Sequence, residues 1–302
     1  MPDFFVVGDM GAIRAVWDGP IARIDTPAEA AGVFAHALPC LQVVDDCETL
    51  PGQPTIDGAR CALQSLEIAT GLARAESIGA LVTAPISKAQ LAQVGFTHPG
   101  QTEFVAERCG VARDNIVMML AGPSLRVVPI TIHIPFSAVI ETLTPALIRS
   151  RALATARGLR RLFGIERPRL AMAGLNPHAG EHGLLGDEES RIITPVLDQL
   201  RRDGLDITGP HAADALFSAR NRARYDAALC CYHDQALIPI KTLHFDDGVN
   251  ITLGLPIVRT SPDHGTAFEI AGQGKAHPGA MIAAIRMARD AELNRRAFAD
   301  MN

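Results

Sequence analysis

Arg169-Leu-Ala-Met-Ala-Gly-Leu-Asn-Pro-His-Ala-Gly-Glu-His-Gly-Leu-Leu-Gly-Asp-Glu-Glu189 is the stretch on which the fold class turns. It opens as an apolar strand over residues 169–174. A polar loop broken by glycines follows. From Asp187 an acid-rich first turn, suited to the positive end of a helix, leads into helical spacing over 187–202, ending near Gly204. Strand, loop and helix in that order are one unit of an α/β protein.

The same phrase recurs in both directions. Upstream, strands are expected at 4–7, 79–85, 115–121 and 125–132, with helices over 58–75 and 144–163. Thr144 is placed as an N-cap before Pro145. Downstream, strands are expected at 226–232 and 249–253, and a last helix over 278–298. The alternation predicts a largely parallel sheet arrangement with helices on both faces. A hairpin or antiparallel arm is expected around Phe136 or Ile207. No repeat, heptad series or low-complexity linker is visible, so two domains should share strands.

The bulk numbers exclude several classes. The chain has 302 residues, 48% hydrophobic and 20% charged, enough for two cores. A net charge of -5 and a pI of about 6.1 supply no broad basic field for nucleic acid or an anionic membrane. The six cysteines form no Cys-x-x-Cys pair and read as buried, reduced thiols. The first residues do not read as a signal peptide, and no apolar run is long enough to span a membrane. The expected location is the cytoplasm.

Three histidines each follow an apolar strand-like run: His133 after Arg126-Val-Val-Pro-Ile-Thr-Ile, His178 in the opening stretch, and His233 after Ala227-Ala-Leu-Cys-Cys-Tyr. Ligands of open α/β sheets bind outside the carboxyl ends of strands. Three imidazoles brought there would form a metal site with open positions. His182 is a rival to His178 but lies deeper in the loop. His133 alone reads more simply as a hydrogen-bonded structural histidine.

Other polar residues follow. Tyr232-His-Asp-Gln-Ala-Leu-Ile-Pro-Ile-Lys241 puts Asp234 and Lys241 two helical turns apart, on one face. Lys241 near a metal and a carboxylate suits a proton shuttle or an anion clamp. Gly248-Val-Asn-Ile-Thr-Leu-Gly-Leu-Pro-Ile-Val-Arg259 adds Asn250 and the planar fork of Arg259, which suits phosphate or carboxylate. Asp263-His-Gly-Thr-Ala-Phe-Glu-Ile-Ala-Gly-Gln-Gly274 is rich in small residues that admit a ligand to the backbone. The glycine fingerprint of Rossmann dinucleotide sites is absent.

Asn176-Pro-His-Ala-Gly-Glu181, Tyr232-His-Asp-Gln235, Gly248-Val-Asn-Ile-Thr-Leu-Gly-Leu-Pro256 and Arg259-Thr-Ser-Pro-Asp-His-Gly-Thr-Ala267 closely resemble the 4-hydroxythreonine-4-phosphate dehydrogenase family of vitamin B6 biosynthesis. The resemblance covers nearly the whole chain and is densest from about Leu81 onward. It implies a two-domain fold like isocitrate and isopropylmalate dehydrogenases, which bind NAD(P) without the Rossmann glycines. The cofactor-side domain would be 1–95 plus 261–302. The metal-, substrate- and dimer-forming domain would be 96–260.

Residue by residue, the resemblance implies one divalent metal (zinc, magnesium, manganese or cobalt) on His133, His178 and His233, completed across a homodimer interface. It implies substrate contacts from Gln101, Thr102, Lys241, Asn250 and Arg259, and catalytic or nearby acidic roles for Lys241, Asp234 and Asp214. His264, Gly265, Ala267 and Gly272 fall in the NAD or NADP segment. The implied reaction oxidises 4-phosphohydroxy-L-threonine at C3, and decarboxylation then yields 3-amino-2-oxopropyl phosphate. Two departures stand out. Gly100-Gln-Thr-Glu103 has Gln101 where the family usually has His, and a Gln cannot become cationic. The usual first strand and its Gly-Asp-Pro-x-Gly-Ile-Gly-Pro-Glu loop do not appear, so the chain reads as starting at the next strand. The alternatives are a dehydrogenase of phosphothreonate or phosphoerythronate, a non-redox metalloenzyme such as a hydrolase, or a ligand-binding paralogue.

Overall fold

The computed structural model describes residues 1–44 and 49–300. Cys47, one of the expected reduced thiols, lies outside the described residues. In chain order the strands are β1 (Val6–Gly8), β2 (Ile21–Ile24), β3 (Leu38–Gln42), β4 (Ala80–Val82), β5 (Val117–Gly122), β6 (Leu125–Pro129), β7 (Leu170–Ala173), β8 (Ile207–His211), β9 (Ala227–Cys230), β10 (Val249–Leu253) and β11 (Val258–Pro262). The longer helices are α1 (Ile56–Arg74), α2 (Gln101–Arg108), α3 (Pro145–Phe163), α4 (Thr194–Arg202), α5 (His233–Leu243) and α6 (Gly279–Asp300). None of the described helices is long and apolar enough to cross a membrane.

Contacts divide the chain into two units, Met1–Val111 with Pro256–Arg289, and Ala112–Leu255 with Asp290–Asn302. In the first, β1-β3-β2 form a parallel three-stranded sheet, and β11 pairs in parallel with β4. In the second, the strand order is β10-β5-β6-β9-β7-β8. There the pairs β6–β9, β9–β7 and β7–β8 are parallel, while β10–β5 and β5–β6 are antiparallel. The predicted mixed α/β architecture with mainly parallel pairing is therefore present.

The antiparallel element is not where the sequence suggested. Gly122 pairs with Leu125, so Pro123 and Ser124 make a two-residue hairpin between β5 and β6. Around Phe136 the chain instead makes a short turn of 3-10 helix, Phe136–Ala138, after Pro135. Ile207 pairs in parallel with Leu170. The helix expected over 187–202 also begins differently. Glu189–Ile193 form a wide π-type turn before α4. Pro195 has no N–H to donate back to residue 191, and the wider turn accommodates that missing bond.

Two elements show why the local sequence folds as it does. Thr144 caps α3, its Oγ1 accepting from Leu147 N at 3.2 Å, and Gly164 ends the helix at φ +66°. The buried side chains of Leu120, Val127, Ala228, Cys230, Ala236 and Ile240 form one cluster, which seats α5 on the sheet of the second unit. That packing governs the position of every functional side chain on α5.

Candidate active site

In the second unit, parallel pairing of β6 with β9 sets Pro129 beside Cys230. The ladder continues past both strands. Ile130 N donates to the Cys230 carbonyl at 2.8 Å, and Thr131 Oγ1 donates to the Cys231 carbonyl at 2.8 Å. Two segments zipped together to that point deliver His133 and His233 side by side, with ring centroids 5.6 Å apart. His233 begins α5, and its Nδ1 lies 2.7 Å from Asp234 Oδ1. In the tautomer that donates Nδ1–H to Asp234, Nε2 keeps its lone pair, the arrangement that orients a metal-binding imidazole.

His178 sits in a separate loop, Pro177–Gly183, and five successive residues from His178 to His182 have positive φ. Such backbone is costly for residues with a Cβ and persists only where the surroundings enforce it. The buried Glu189 braces the residue that leads into it. Its carboxylate accepts from Asn176 N at 2.7 Å and Asn176 Nδ2 at 3.0 Å, while Glu188 accepts from the same Nδ2 at 2.7 Å. A Cβ at Gly180 would lie 2.7 Å from Glu189 Oε2, so this position needs glycine for space as well as for its φ of +80°. Glu189 therefore does more than complement a helix dipole; it clamps the loop. His133 (φ +52°) shares the strained backbone.

The structure thus brings His133 and His233 together and does not gather His178 with them into one three-ligand group. Among the described residues no cluster of three or more His, Cys, Asp or Glu could hold a metal. The donors themselves fit a divalent ion: two adjacent imidazoles, one already oriented by a carboxylate. His182 is exposed in the same loop as His178. Asp214 is exposed on the short helix Ala213–Leu216, which packs against that loop.

Lys241 is half-buried on α5, two turns after Asp234. Asn250 of β10 stands opposite Leu120 of β5, so their side chains share a sheet face. Leu120 packs with Ala236 and Ile240 of α5, which places Asn250 on the face that α5 covers. Asn250 Oδ1 is buried with no hydrogen-bond partner among the described residues. A buried amide oxygen left open in this way suits a ligand donor.

In the first unit, Arg259 of β11 is only 3% exposed. Its Nη2 donates to Thr83 Oγ1 at 2.8 Å and its Nη1 to Thr102 Oγ1 at 3.1 Å. Burial pushes its pKa down to about 10, with Glu103 opposing, so it stays cationic near neutral pH. Gln101 Nε2 donates to the Ala84 carbonyl at 2.9 Å. Gln101, Thr102 and Arg259 are therefore neighbours.

His264, Gly265, Ala267 and Gly272 lie on one segment of the first unit. His264 Nδ1 bonds the Gly265 carbonyl at 3.0 Å, and Ala267 has φ +46°. Gly272 packs on Pro51, where a Cβ would approach Pro51 Cβ to 2.9 Å. A Cβ at Gly265 would meet nothing within 4 Å. Packing within the chain does not demand glycine there, whereas a ligand lying on the backbone would.

Sequence reading passed over Thr83 and Gln235. Gln235 Oε1 accepts from Cys231 N at 2.7 Å and its Nε2 donates to the Gly174 carbonyl at 2.8 Å, joining the two histidine-bearing loops. A polar residue at a strand end, or on the apolar side of a helix, was the available signal for both.

The sequence model of the family described as pyridoxal phosphate biosynthetic protein PdxA matches residues 1–288. A 4-hydroxythreonine-4-phosphate dehydrogenase from Zymomonas mobilis is 56% identical over 296 residues, covering 98% of this chain and 88% of the relative. One from Erythrobacter litoralis is 56% identical over 297 residues, covering 97% and 88%. The crystal structure of 4-hydroxythreonine-4-phosphate dehydrogenase from Klebsiella pneumoniae superposes with a TM-score of 0.85 at 37% identity, covering 95% of this chain and 90% of that one.

Proposed function

The chain belongs to the PdxA family of pyridoxal phosphate biosynthetic proteins, and on that premise we propose that it oxidises 4-phosphohydroxy-L-threonine at C3 with NAD(P)+, decarboxylation then giving 3-amino-2-oxopropyl phosphate. The observation that carries this reading is the near full-length identity with dehydrogenases of that name. His133, His178 and His233 are the proposed holders of one divalent metal, and the segment with His264, Gly265, Ala267 and Gly272 the proposed nicotinamide site. When bound, NAD(P)+ would supply the hydride acceptor for C3, and a divalent ion would supply a Lewis acid for the C3 oxygen, easing both proton loss and loss of CO2.

The chain's own residues then have definite tasks. Arg259 binds an anionic group of the substrate through its fork, with Thr102 beside it. Asn250 Oδ1 accepts a substrate O–H or N–H. Lys241 moves the proton of the C3 hydroxyl and steadies negative charge on that oxygen. Asp234 orients His233. Asp214 contributes negative charge near the His178 loop. The proposed assembly is a homodimer that completes the metal site, consistent with exposed apolar residues close to the histidines: Ile134 and Phe136 beyond His133, Leu184 and Leu185 beyond His182, and Ile238 on α5.

Purified protein is to be assayed for NADH or NADPH formation on 4-phosphohydroxy-L-threonine, phosphothreonate and phosphoerythronate, with and without chelator. Turnover of the first substrate that chelator removes is expected. Preference for either other ester, or no turnover with any, rejects the substrate or the redox reading respectively. Lys241→Ala should cut kcat by about 10²-fold or more, the ordinary scale of lost proton transfer. The Michaelis constant for the nicotinamide should stay nearly constant; an unchanged kcat removes Lys241 from the mechanism.

A further inference from the structure

A closed circuit surrounds the guanidinium of Arg259. Gln101 Nε2 donates to the Ala84 carbonyl at 2.9 Å. Ala84 follows Thr83, whose Oγ1 accepts from Arg259 Nη2 at 2.8 Å. Arg259 Nη1 donates to Thr102 Oγ1 at 3.1 Å, and Thr102 follows Gln101. Thr83 N also donates to the carbonyl of Thr260, the residue after Arg259, at 3.0 Å. Thr83 therefore grips β11 with its backbone and the guanidinium with its side chain, and it is only 6% exposed.

Arginine carries large rotamer freedom, and its fork recognises an oxyanion only in one plane. Hydroxyl acceptors on two of its nitrogens set that plane before a ligand arrives. Gln101 holds the other side of the ring, because its amide N–H is directed to the chain's own Ala84 carbonyl. We propose that Thr83 is a positioning residue that pre-sets the Arg259 fork for the phosphate or carboxylate of a small hydroxy acid, and that Gln101 serves the same circuit by anchoring the first turn of α2. This rests on the assignment of Arg259 to the substrate under the function proposed above.

Thr83→Val keeps the shape and removes the acceptor; Thr83→Ser restores it. With Thr83→Val the Michaelis constant for the phosphorylated substrate should rise about tenfold or more, the scale of one lost hydrogen bond to a charged group. The inhibition constant of inorganic phosphate should rise in parallel, while kcat and the Michaelis constant for the nicotinamide change little. Thr83→Ser should return within a few-fold of the parent. Gln101→Met, which cuts the bond to Ala84, should move the same two constants in the same direction, and it decides the matter if Thr83→Val does not fold. Substrate and phosphate constants that stay at parental values, nicotinamide and substrate constants that rise together, or a Ser variant as impaired as Val each overturn the proposal. An inactive parent protein would instead reject the underlying function. In that case the same variants are compared by calorimetric titration with inorganic phosphate, and equal affinity in all of them overturns the positioning role as well.

Discussion

Single side chains in this protein act through the neighbour that holds them. His233 owes its orientation to Asp234 at 2.7 Å, a carboxylate that is itself largely exposed. Asp234→Asn keeps the size but loses the charge that strengthens the bond to Nδ1–H and makes the imidazole a better donor. The expected result is a metal affinity about 10- to 100-fold weaker, the usual cost of removing an outer-shell partner. Calorimetric titration of metal-free protein with zinc or cobalt reads this without any turnover. Equal affinity in the variant would show that the carboxylate serves something other than the imidazole. At this scale the residue types were legible: imidazole, carboxylate, lysine and guanidinium at strand ends announce chemistry. Their partners were less so. Thr83 meets Arg259 across most of the chain, and only folding reveals that hydroxyl as the fork's support.

Elements were legible where one local signal dominated. Apolar runs marked β5, β6, β7, β9 and β10, but not β8, and Thr144 with Pro145 marked the start of α3. Register was not legible, because pairing between β6 and β9 joins segments far apart in sequence. That register, rather than the position of either histidine after its strand, is what puts His133 next to His233. The β5–β6 hairpin was missed because Pro123-Ser124 lacks the Asn-Gly or Asp-Gly signal of two-residue turns. The left-handed run from His178 to His182 contradicts local propensity, and a carboxylate remote in sequence braces Asn176 at its entrance. Glu189→Ala should therefore cost about 2–4 kcal/mol, since it strips acceptors from Asn176 N and Nδ2 in a partly buried setting. A lowered urea midpoint is the readout, and Glu189→Gln, which keeps one acceptor oxygen, should recover part of the loss. If the Ala variant unfolds at the parental midpoint, the loop is held by other contacts.

For the whole molecule, the decisive feature is that one described chain pairs two of its three candidate ligands and gathers no group of three. Apolar side chains near those histidines are open, Phe136 at 71% and Leu184 at 83% exposure, as surfaces that receive a partner often are. If a second copy completes the proposed site, metal binding and dimerisation are one linked equilibrium. Whatever factor the metal adds to dimer affinity, dimerisation adds to metal affinity. Coupling of about 1–3 kcal/mol corresponds to roughly 5- to 150-fold in the dimer dissociation constant. Sedimentation velocity across a dilution series should show the dimer weakening by that order when chelator is added and recovering when zinc or cobalt is returned. His178→Ala should abolish the dependence on metal while leaving the metal-free dimer constant near that of the parent, because the exposed apolar contacts are untouched. A dimer indifferent to chelator would mean that each chain holds its metal alone, with His178 brought in by movement of its own loop. A chain that stays monomeric at every concentration, with metal present, would reject the shared site altogether.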